Sequence, residues 1–146
     1  MTRRDDGSDA TDSEGTTGTN TSDPVIRNAE AVNYEAVDAA DGLRKGLLIG
    51  SEHGAPGFAL RRFTLDPGAT VPKHTNEIGH EQYVLAGEYV VGIGEEEHTL
   101  EAGDSLLIPA GTVHWYRNDS ERQGAFLCAV PNGDDEIELL KSTPSE

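Results

Sequence analysis

Short apolar segments, each ended by glycine, proline or asparagine, recur along most of this chain. The segments are rich in β-branched and aromatic residues and are shorter than typical helices. Breaks at roughly 8- to 12-residue intervals are typical of the strands of a sandwich or barrel. The pattern therefore predicts an all-β domain with strands over residues 43–50, 58–65, 70–74, 80–85, 88–93, 97–100, 105–108, 114–117 and 123–130.

Two regions of the pattern are less regular. The sequence Asp66-Pro67-Gly68 predicts a turn that separates two of the strands. Residues 24–42 predict one strand or an extended arm, and a helix over residues 29–40 is the alternative. This interpretation rests on the apolar positions Val25, Ile26, Val32, Tyr34 and Val37.

The two ends of the chain differ from the middle. Residues 1–23 hold Asp, Ser, Thr and Gly with almost no apolar residue after Met1, so they predict a disordered acidic tail. Residues 24–146 are enough for one domain with a core of its own. Residues 132–146 are acidic too, and their apolar positions Ile137, Leu139 and Leu140 predict an edge strand or a segment that docks on the barrel.

The net charge of the chain indicates which partners and which environment to expect. The 146 residues carry 27 acidic and 11 basic side chains, a formal net charge of −16. Phosphate binding needs clustered basic residues, so nucleic acid is excluded as an expected partner. Acidity spread over the whole chain favours a halophilic surface that remains soluble at high salt, and a basic protein partner is the alternative.

Cysteine content and hydropathy bear on the compartment. Cys128 is the single cysteine, which excludes an intrachain disulfide and cysteine-rich zinc modules. No apolar run approaches the ~20 residues that span a bilayer, and the two arginines near Met1 precede no hydrophobic segment of a signal peptide. We therefore expect a cytoplasmic protein with no membrane partner.

Three histidines stand at junctions between loops and predicted strands. They are His74, His80 and His114, whereas His53 and His98 lie in hydrophilic contexts typical of the surface. Neutral imidazole is the commonest protein ligand for divalent transition metals. Three imidazoles converging inside a barrel would leave positions on the metal open for water or a substrate. The sequence thus predicts one metal site built from two separate stretches.

The two stretches resemble the two motifs of the cupin superfamily. Every position of the second motif is matched, at the family's spacing, by Gly103, Pro109, Gly111, His114 and Asn118. The positions of the first motif are taken by Gly68, His74, Asn76, His80 and Gly87. The fifteen residues between Gly87 and Gly103 are also typical of the family. The resemblance spans roughly residues 45–131.

The first motif departs from the family at two positions. His80 takes the place of the usual glutamate, which resembles a subset of small cupins with four histidines. Glu81 is the competing ligand, but neighbours on a strand face opposite sides, so we expect His80 to face inward and Glu81 outward. Asn76 takes the place of the second histidine. Either His74, His80 and His114 hold the metal with Asn76 or water, or the site is weakened; Glu77 is a further possible ligand.

The resemblance implies a fold and a range of functions. The fold is a double-stranded β-helix, the RmlC-like jelly roll or cupin barrel, with its core at about residues 43–131. The implied cofactor is a divalent transition metal (Fe, Mn, Ni, Cu or Zn), and the first hypothesis is a metal-dependent oxygenase acting on a small molecule. The alternatives are a metal-dependent isomerase and a non-catalytic cupin that binds or senses a small molecule or metal. A homodimer formed through edge strands is also implied.

Other residues are candidates for the pocket. One of Arg61 and Arg62 must face inward if their strand alternates, where it would bind an anion or pair with another residue. Cys128 is expected to face the interior as a small core residue. Aromatic candidates for the lining are Tyr83, Trp115 and Tyr116.

Overall fold

The computed structural model describes residues 23–132 and the backbone of residues 137–139. The predicted disordered tail, except for Asp23, and Leu140 lie outside these ranges. In the described residues there are ten strands: β1 (Tyr34–Ala36), β2 (Asp41–Ile49), β3 (Phe58–Asn76), β4 (His80–Ala86), β5 (Glu88–Ile93), β6 (Glu96–Glu101), β7 (Ser105–Ile108), β8 (His114–Arg117), β9 (Gly124–Pro131) and β10 (Ile137–Leu139). The prediction of an all-β domain is confirmed.

Helical structure in the described residues is limited to two 3₁₀ turns, Ala29–Ala31 and Ser51–His53. The alternative of a helix over residues 29–40 is wrong, because the chain leaves the first turn after three residues and enters β1. The side-chain oxygen of Asn28 accepts a hydrogen bond from the main-chain N–H of Glu30 and caps that turn. No helix in the described part of the chain is long and apolar enough to cross a membrane.

The strands form a curled antiparallel sheet. Neighbouring strands follow the order β6-β5-β8-β3-β9-β4-β7, while β2 and β10 pair with β3 and β1 pairs with β2. Residues 58–65 of β3 pair with β9, and Thr70, Val71 and His74 of the same strand pair with β8. One long strand therefore belongs to both faces of the barrel.

The predicted break at Asp66-Pro67-Gly68 is wrong, because β3 runs through it without ending. Gly68 has φ of 82°, a left-handed conformation that is open to glycine and that lets the strand bend. The local sequence has the composition of a turn, but strand partners on both sides of it continue the hydrogen-bonded ladder. Pairing with distant strands thus keeps this segment within β3 as a bend, although its local sequence predicts a turn.

Asn118 fixes the position of this bend. Its side chain is fully buried, and its main-chain carbonyl accepts a hydrogen bond from the N–H of Gly68 at 2.8 Å. The two hydrogens of the Nδ2 amide are shared among three main-chain carbonyls, those of Leu65 at 3.0 Å, Asp66 at 3.2 Å and Arg122 at 2.9 Å. One side chain therefore connects carbonyl groups on β3 to the loop between β8 and β9.

The core lies between the two faces of the barrel and follows the alternation of the strands. On β4, the buried residues His80, Gln82 and Val84 alternate with the exposed residues Glu81 and Tyr83. Aromatic rings from three strands stack across the interior: the ring centroids of Phe63 and Phe126 are 5.0 Å apart, and those of Tyr116 and Phe126 are 5.5 Å apart. These offset contacts pack one end of the cavity that holds the histidines.

Candidate metal centre

The three predicted histidines come together inside the barrel. His74 lies near the end of β3, and His80 and His114 begin β4 and β8. His74 and His114 are paired in register on adjacent strands, and their ring centroids are 4.1 Å apart. The ring of His80 lies 6.4 Å from that of His114. All three side chains are buried and line one cavity.

Main-chain carbonyls hold two of the rings in a defined orientation. His74 Nδ1 lies 2.8 Å from the carbonyl oxygen of Pro72, and His114 Nδ1 lies 2.9 Å from that of Thr112. A carbonyl oxygen only accepts, so in both rings Nδ1 carries the hydrogen and donates it. Burial lowers the pKa of His74 and lowers the pKa of His114 to about 4, so both rings are neutral near pH 7. The lone pair on Nε2 is then the one available for a metal.

The spacing of the rings fits a metal only in part. Two imidazoles bound to one ion at ~2.1 Å have ring centroids about 4.5 to 6.5 Å apart. The His74–His114 separation lies just below this range and the His80–His114 separation lies at its upper end. Accordingly, no group of three or more His, Cys, Asp or Glu side chains in the described residues has the arrangement of a metal-binding set. Imidazole nitrogens are suitable ligands for a borderline divalent metal. The three rings, however, are not all at the distances from one another that a shared ion requires.

The neighbours of the histidines divide between the two sides of the barrel wall. Asn76 is buried and lines the same cavity as the three rings. Glu81 and Glu77 are exposed, which leaves neither carboxylate inside the cavity. The prediction that His80 rather than Glu81 faces inward is confirmed by their burial. Whether His74, Asn76, His80 and His114 ligate a metal stays a prediction.

A small cavity adjoins the histidines. Its volume is about 60 Å³, which is room for a few waters or a small ligand. Apolar side chains form most of its wall: Val37, Leu43, Phe63, Val71 and Phe126. On the polar side, Gln82 Nε2 donates a hydrogen bond of 2.8 Å to the Tyr116 hydroxyl. Burial raises the pKa of Tyr116, so this phenol stays protonated.

The other residues that were considered for the cavity lining lie in different places. Of the aromatic residues, Tyr116 lines the cavity, whereas Tyr83 is exposed and Trp115 faces an outer groove. Of the arginines, Arg61 is buried and lines the cavity. Cys128 is fully buried, as expected of a small core residue.

Two polar lining residues, Gln82 and Lys45, were not predicted from the sequence. Gln82 could have been found, because it lies two positions after His80 on the same strand and therefore faces the same side. Lys45 was taken as part of an apolar strand, and its place in the cavity wall depends on the pairing of that strand with Phe63 of β3.

The lowered histidine pKa values predict acid sensitivity of the metal-free protein. The unfolded chain binds protons on His114 below pH ~6.5, whereas the folded chain does so only near pH 4, so stability should fall between these values. The loss from His114 is expected to be roughly 3 kcal/mol. Urea unfolding of chelator-treated protein at pH 7.0, 5.5 and 4.5 measures it. The His114→Gln variant should lose less stability than wild type, and equal losses would contradict the prediction.

Comparison with known proteins supports the same fold. Residues 61–130 match a family model described as a cupin domain. Protein SchB of Streptomyces halstedii is 27% identical over 84 residues, which are 57% of this chain and 61% of SchB. The chain therefore spans less than two thirds of the length of that relative.

Two solved structures are similar over most of the chain. The polyketide cyclase RemF from Streptomyces resistomycificus has a TM-score of 0.75 and 24% identity, covering 80% of this chain and 85% of RemF. Rru_A2000 from Rhodospirillum rubrum, a cupin-2 domain, has a TM-score of 0.70 and 19% identity, covering 86% of this chain and 84% of its own. At these identities the two structures show a shared fold, and the predicted jelly-roll barrel is confirmed. Residues 61–130 thus resemble a cupin domain, and the barrel that contains them has the fold of the two neighbouring structures.

Proposed function

We propose that this protein binds a divalent transition metal among His74, His80 and His114 and acts on a small molecule held in the adjoining cavity. One observation carries the proposal: three buried imidazoles from three strands line the same cavity, and two of them have Nδ1 anchored to a main-chain carbonyl. Carbonyl anchors of this kind orient metal-binding histidines in proteins. Asn76 would be a neutral fourth ligand or would hold a water.

The cavity has the properties of a reaction site for a small ligand. When bound, a divalent metal would polarise an oxygen atom of the ligand as a Lewis acid. The apolar wall excludes water and strengthens electrostatic interactions. The Tyr116 hydroxyl accepts a hydrogen bond from Gln82, which leaves its own proton for a second acceptor such as the ligand. These residues bind and orient a ligand; no dedicated general base lies among them.

The reaction that we propose first is oxygen-dependent chemistry, because the three imidazoles would leave open positions on the metal for substrate and O₂. The similarity to a polyketide cyclase adds ring closure of a polyketide to the reactions to assay. Metal-dependent isomerisation, with the metal as a Lewis acid, is the third reaction to assay.

A non-catalytic cupin that binds a small ligand is the second candidate function. The small volume of the cavity and the spacing of the histidines, which fits a shared metal only in part, are the observations that favour this candidate. The two candidates differ in turnover. A catalyst converts many equivalents of substrate, whereas a binding protein returns the ligand unchanged and at no more than stoichiometric amounts.

Metal analysis of the purified protein tests the proposal. After expression in medium with mixed trace metals, we expect close to one equivalent of a transition metal, measured by inductively coupled plasma mass spectrometry. The Asn76→His variant should bind the same metal at least about 10-fold more tightly, because imidazole is a stronger ligand than an amide oxygen. Less than about a tenth of an equivalent in both proteins would rule out a working metal site.

A further inference from the structure

One side-chain oxygen in the wall of the cavity is buried without a hydrogen-bond partner among the described residues. Gln82 is 4% exposed and lines the cavity, and its Oε1 is that atom. Its Nε2, in contrast, donates to the Tyr116 hydroxyl at 2.8 Å. A buried carbonyl oxygen costs free energy unless a donor reaches it. The cavity is the space from which a ligand can supply that donor.

Gln82 and Tyr116 together present one hydrogen-bond acceptor and one donor. Gln82 Oε1 accepts, and the Tyr116 hydroxyl, which accepts from Nε2, has its own proton to donate. A half-turn of the amide would let the hydroxyl donate to Oε1, and the pair would then present an Nε2–H donor and the hydroxyl oxygen as acceptor. In either rotation, a ligand group made only of acceptors, such as a carboxylate, would face one acceptor of the pair.

The alternation of two strands places this pair next to the histidines. Gln82 follows His80 by two residues on β4, and Tyr116 follows His114 by two residues on β8, so each faces the same side as its histidine. Residues two apart on a strand are separated by about 6–7 Å. A ligand of a few atoms can therefore contact both the pair and a metal held by the histidines.

Packing holds both side chains of the pair in place. The Tyr116 ring stacks on that of Phe126, with centroids 5.5 Å apart and planes inclined by 17°. Gln82 lies within β4, in register with Cys128 of β9 on one side and Leu106 of β7 on the other. Groups that are fixed before a ligand binds lose little conformational entropy on binding, so they select ligands whose own groups match them.

We propose that the ligand of this cavity is a neutral molecule with a hydroxyl group next to a carbonyl group, and that Gln82 and Tyr116 recognise these two groups. The ligand hydroxyl donates to Gln82 Oε1, and the ligand carbonyl accepts from the Tyr116 hydroxyl. This inference rests on the proposed function, because a metal at the histidines would polarise the same carbonyl. A hydroxyl, unlike an amide N–H, also has lone pairs for that metal. The cavity volume of about 60 Å³ suits a ligand, or the end of one, with few non-hydrogen atoms.

Ligand-observed NMR titration with hydroxyacetone and butanone tests this inference on protein purified from zinc-supplemented medium. The two ketones are similar in size, and butanone has a methyl group in place of the hydroxyl. We expect wild type to bind hydroxyacetone at least about 10-fold more tightly than butanone. Gln82→Met should weaken the binding of hydroxyacetone about 10-fold and leave that of butanone unchanged. Tyr116→Phe should weaken both, because both ketones have the carbonyl.

Three further variants serve as controls. Gln123→Met changes a glutamine outside the cavity whose Nε2 donates to Asp66 at 3.3 Å, and Tyr83→Phe changes an exposed tyrosine of β4. Neither should alter the affinity for either ketone. Gln82→Asn keeps the amide but withdraws it by one methylene group, so it should lower the preference for hydroxyacetone even if Gln82→Met does not fold.

The outcomes separate this inference from the proposed function. Equal binding of the two ketones by wild type, or binding of neither, would overturn the inference and is expected if only water bonds to the pair. A preference that persisted in Gln82→Asn and Tyr116→Phe would also overturn it. A preference lost in Tyr116→Phe rather than in Gln82→Met would support the pair with its amide rotated. Metal content is measured for every variant: zinc without the preference would leave the proposed metal site intact, whereas the preference without zinc would overturn the metal site and support the ligand class.

Discussion

Replacement of His114 by alanine is expected to reduce the metal content of the purified protein from near one equivalent to less than about a tenth. His114 is 2% exposed and stands between the other two rings, with centroids 4.1 Å from that of His74 and 6.4 Å from that of His80. Structural zinc sites with four ligands bind with about 10–16 kcal/mol, so one ligand accounts for roughly 3 kcal/mol, or about a 100-fold loss of affinity. Plasma mass spectrometry and competition with a coloured chelator measure the loss.

Two variants separate ligation from folding in this experiment. His98→Ala removes a histidine on β6 whose Nε2 lies 3.6 Å from Glu96 Oε1, and it should leave the metal content unchanged. His114→Gln keeps more of the buried volume than alanine and should lose the metal as fully while unfolding at a temperature closer to wild type. Retention of one equivalent of metal by folded His114→Ala would remove His114 from the set of ligands.

Replacement of Asn118 by alanine should destabilise the protein by about 3–5 kcal/mol, the largest effect on stability that we expect from a single polar side chain. The substitution removes the amide whose two hydrogens are shared among the carbonyls of Leu65, Asp66 and Arg122, and leaves each of them with one partner fewer. Each lost hydrogen bond contributes about 0.5–1.5 kcal/mol, and a buried carbonyl such as that of Leu65 that loses a partner adds to the cost. The midpoint of urea unfolding, with an unchanged slope, measures the loss.

Asn132 provides the matched control. Its Nδ2 donates one hydrogen bond, of 2.9 Å, to the carbonyl of Ala55 in a partly buried position. Asn132→Ala should therefore cost about 1 kcal/mol. Similar losses in the two variants would show that Asn118 contributes no more than an ordinary hydrogen bond, and the account of the bend in β3 would be wrong.

Periodicity and punctuation predicted most of the strands, because a strand with one buried face repeats every two residues. The segments over residues 105–108 and 114–117 coincide with β7 and β8. The error at Asp66-Pro67-Gly68 has a physical cause. Turn composition describes local preference, whereas the continuation of β3 depends on ladder partners that lie far away in sequence.

The sequence also predicted part of the candidate site, namely which residues face the interior but not the distances between them. Alternation was sufficient to place His80 inside and Glu81 outside, because it depends only on the pleat of β4. The distances between the three imidazoles depend on the pairing of β3 with β8 and on the side-chain rotamers, neither of which the spacing of residues in the sequence contains. The position of Lys45 in the cavity wall was not predicted for the same reason, because it depends on the register of β2 against β3.

The pairing of β3 with β9 also determines when the protein can fold during its synthesis. Residues 58–65 pair with residues 124–131, across a separation of about 60 to 70 residues, and β9 also pairs with β4. A nascent chain that has emerged as far as His114 already carries every candidate ligand but lacks the strand that joins β3 to β4. The barrel can therefore close only after β9 has left the ribosome.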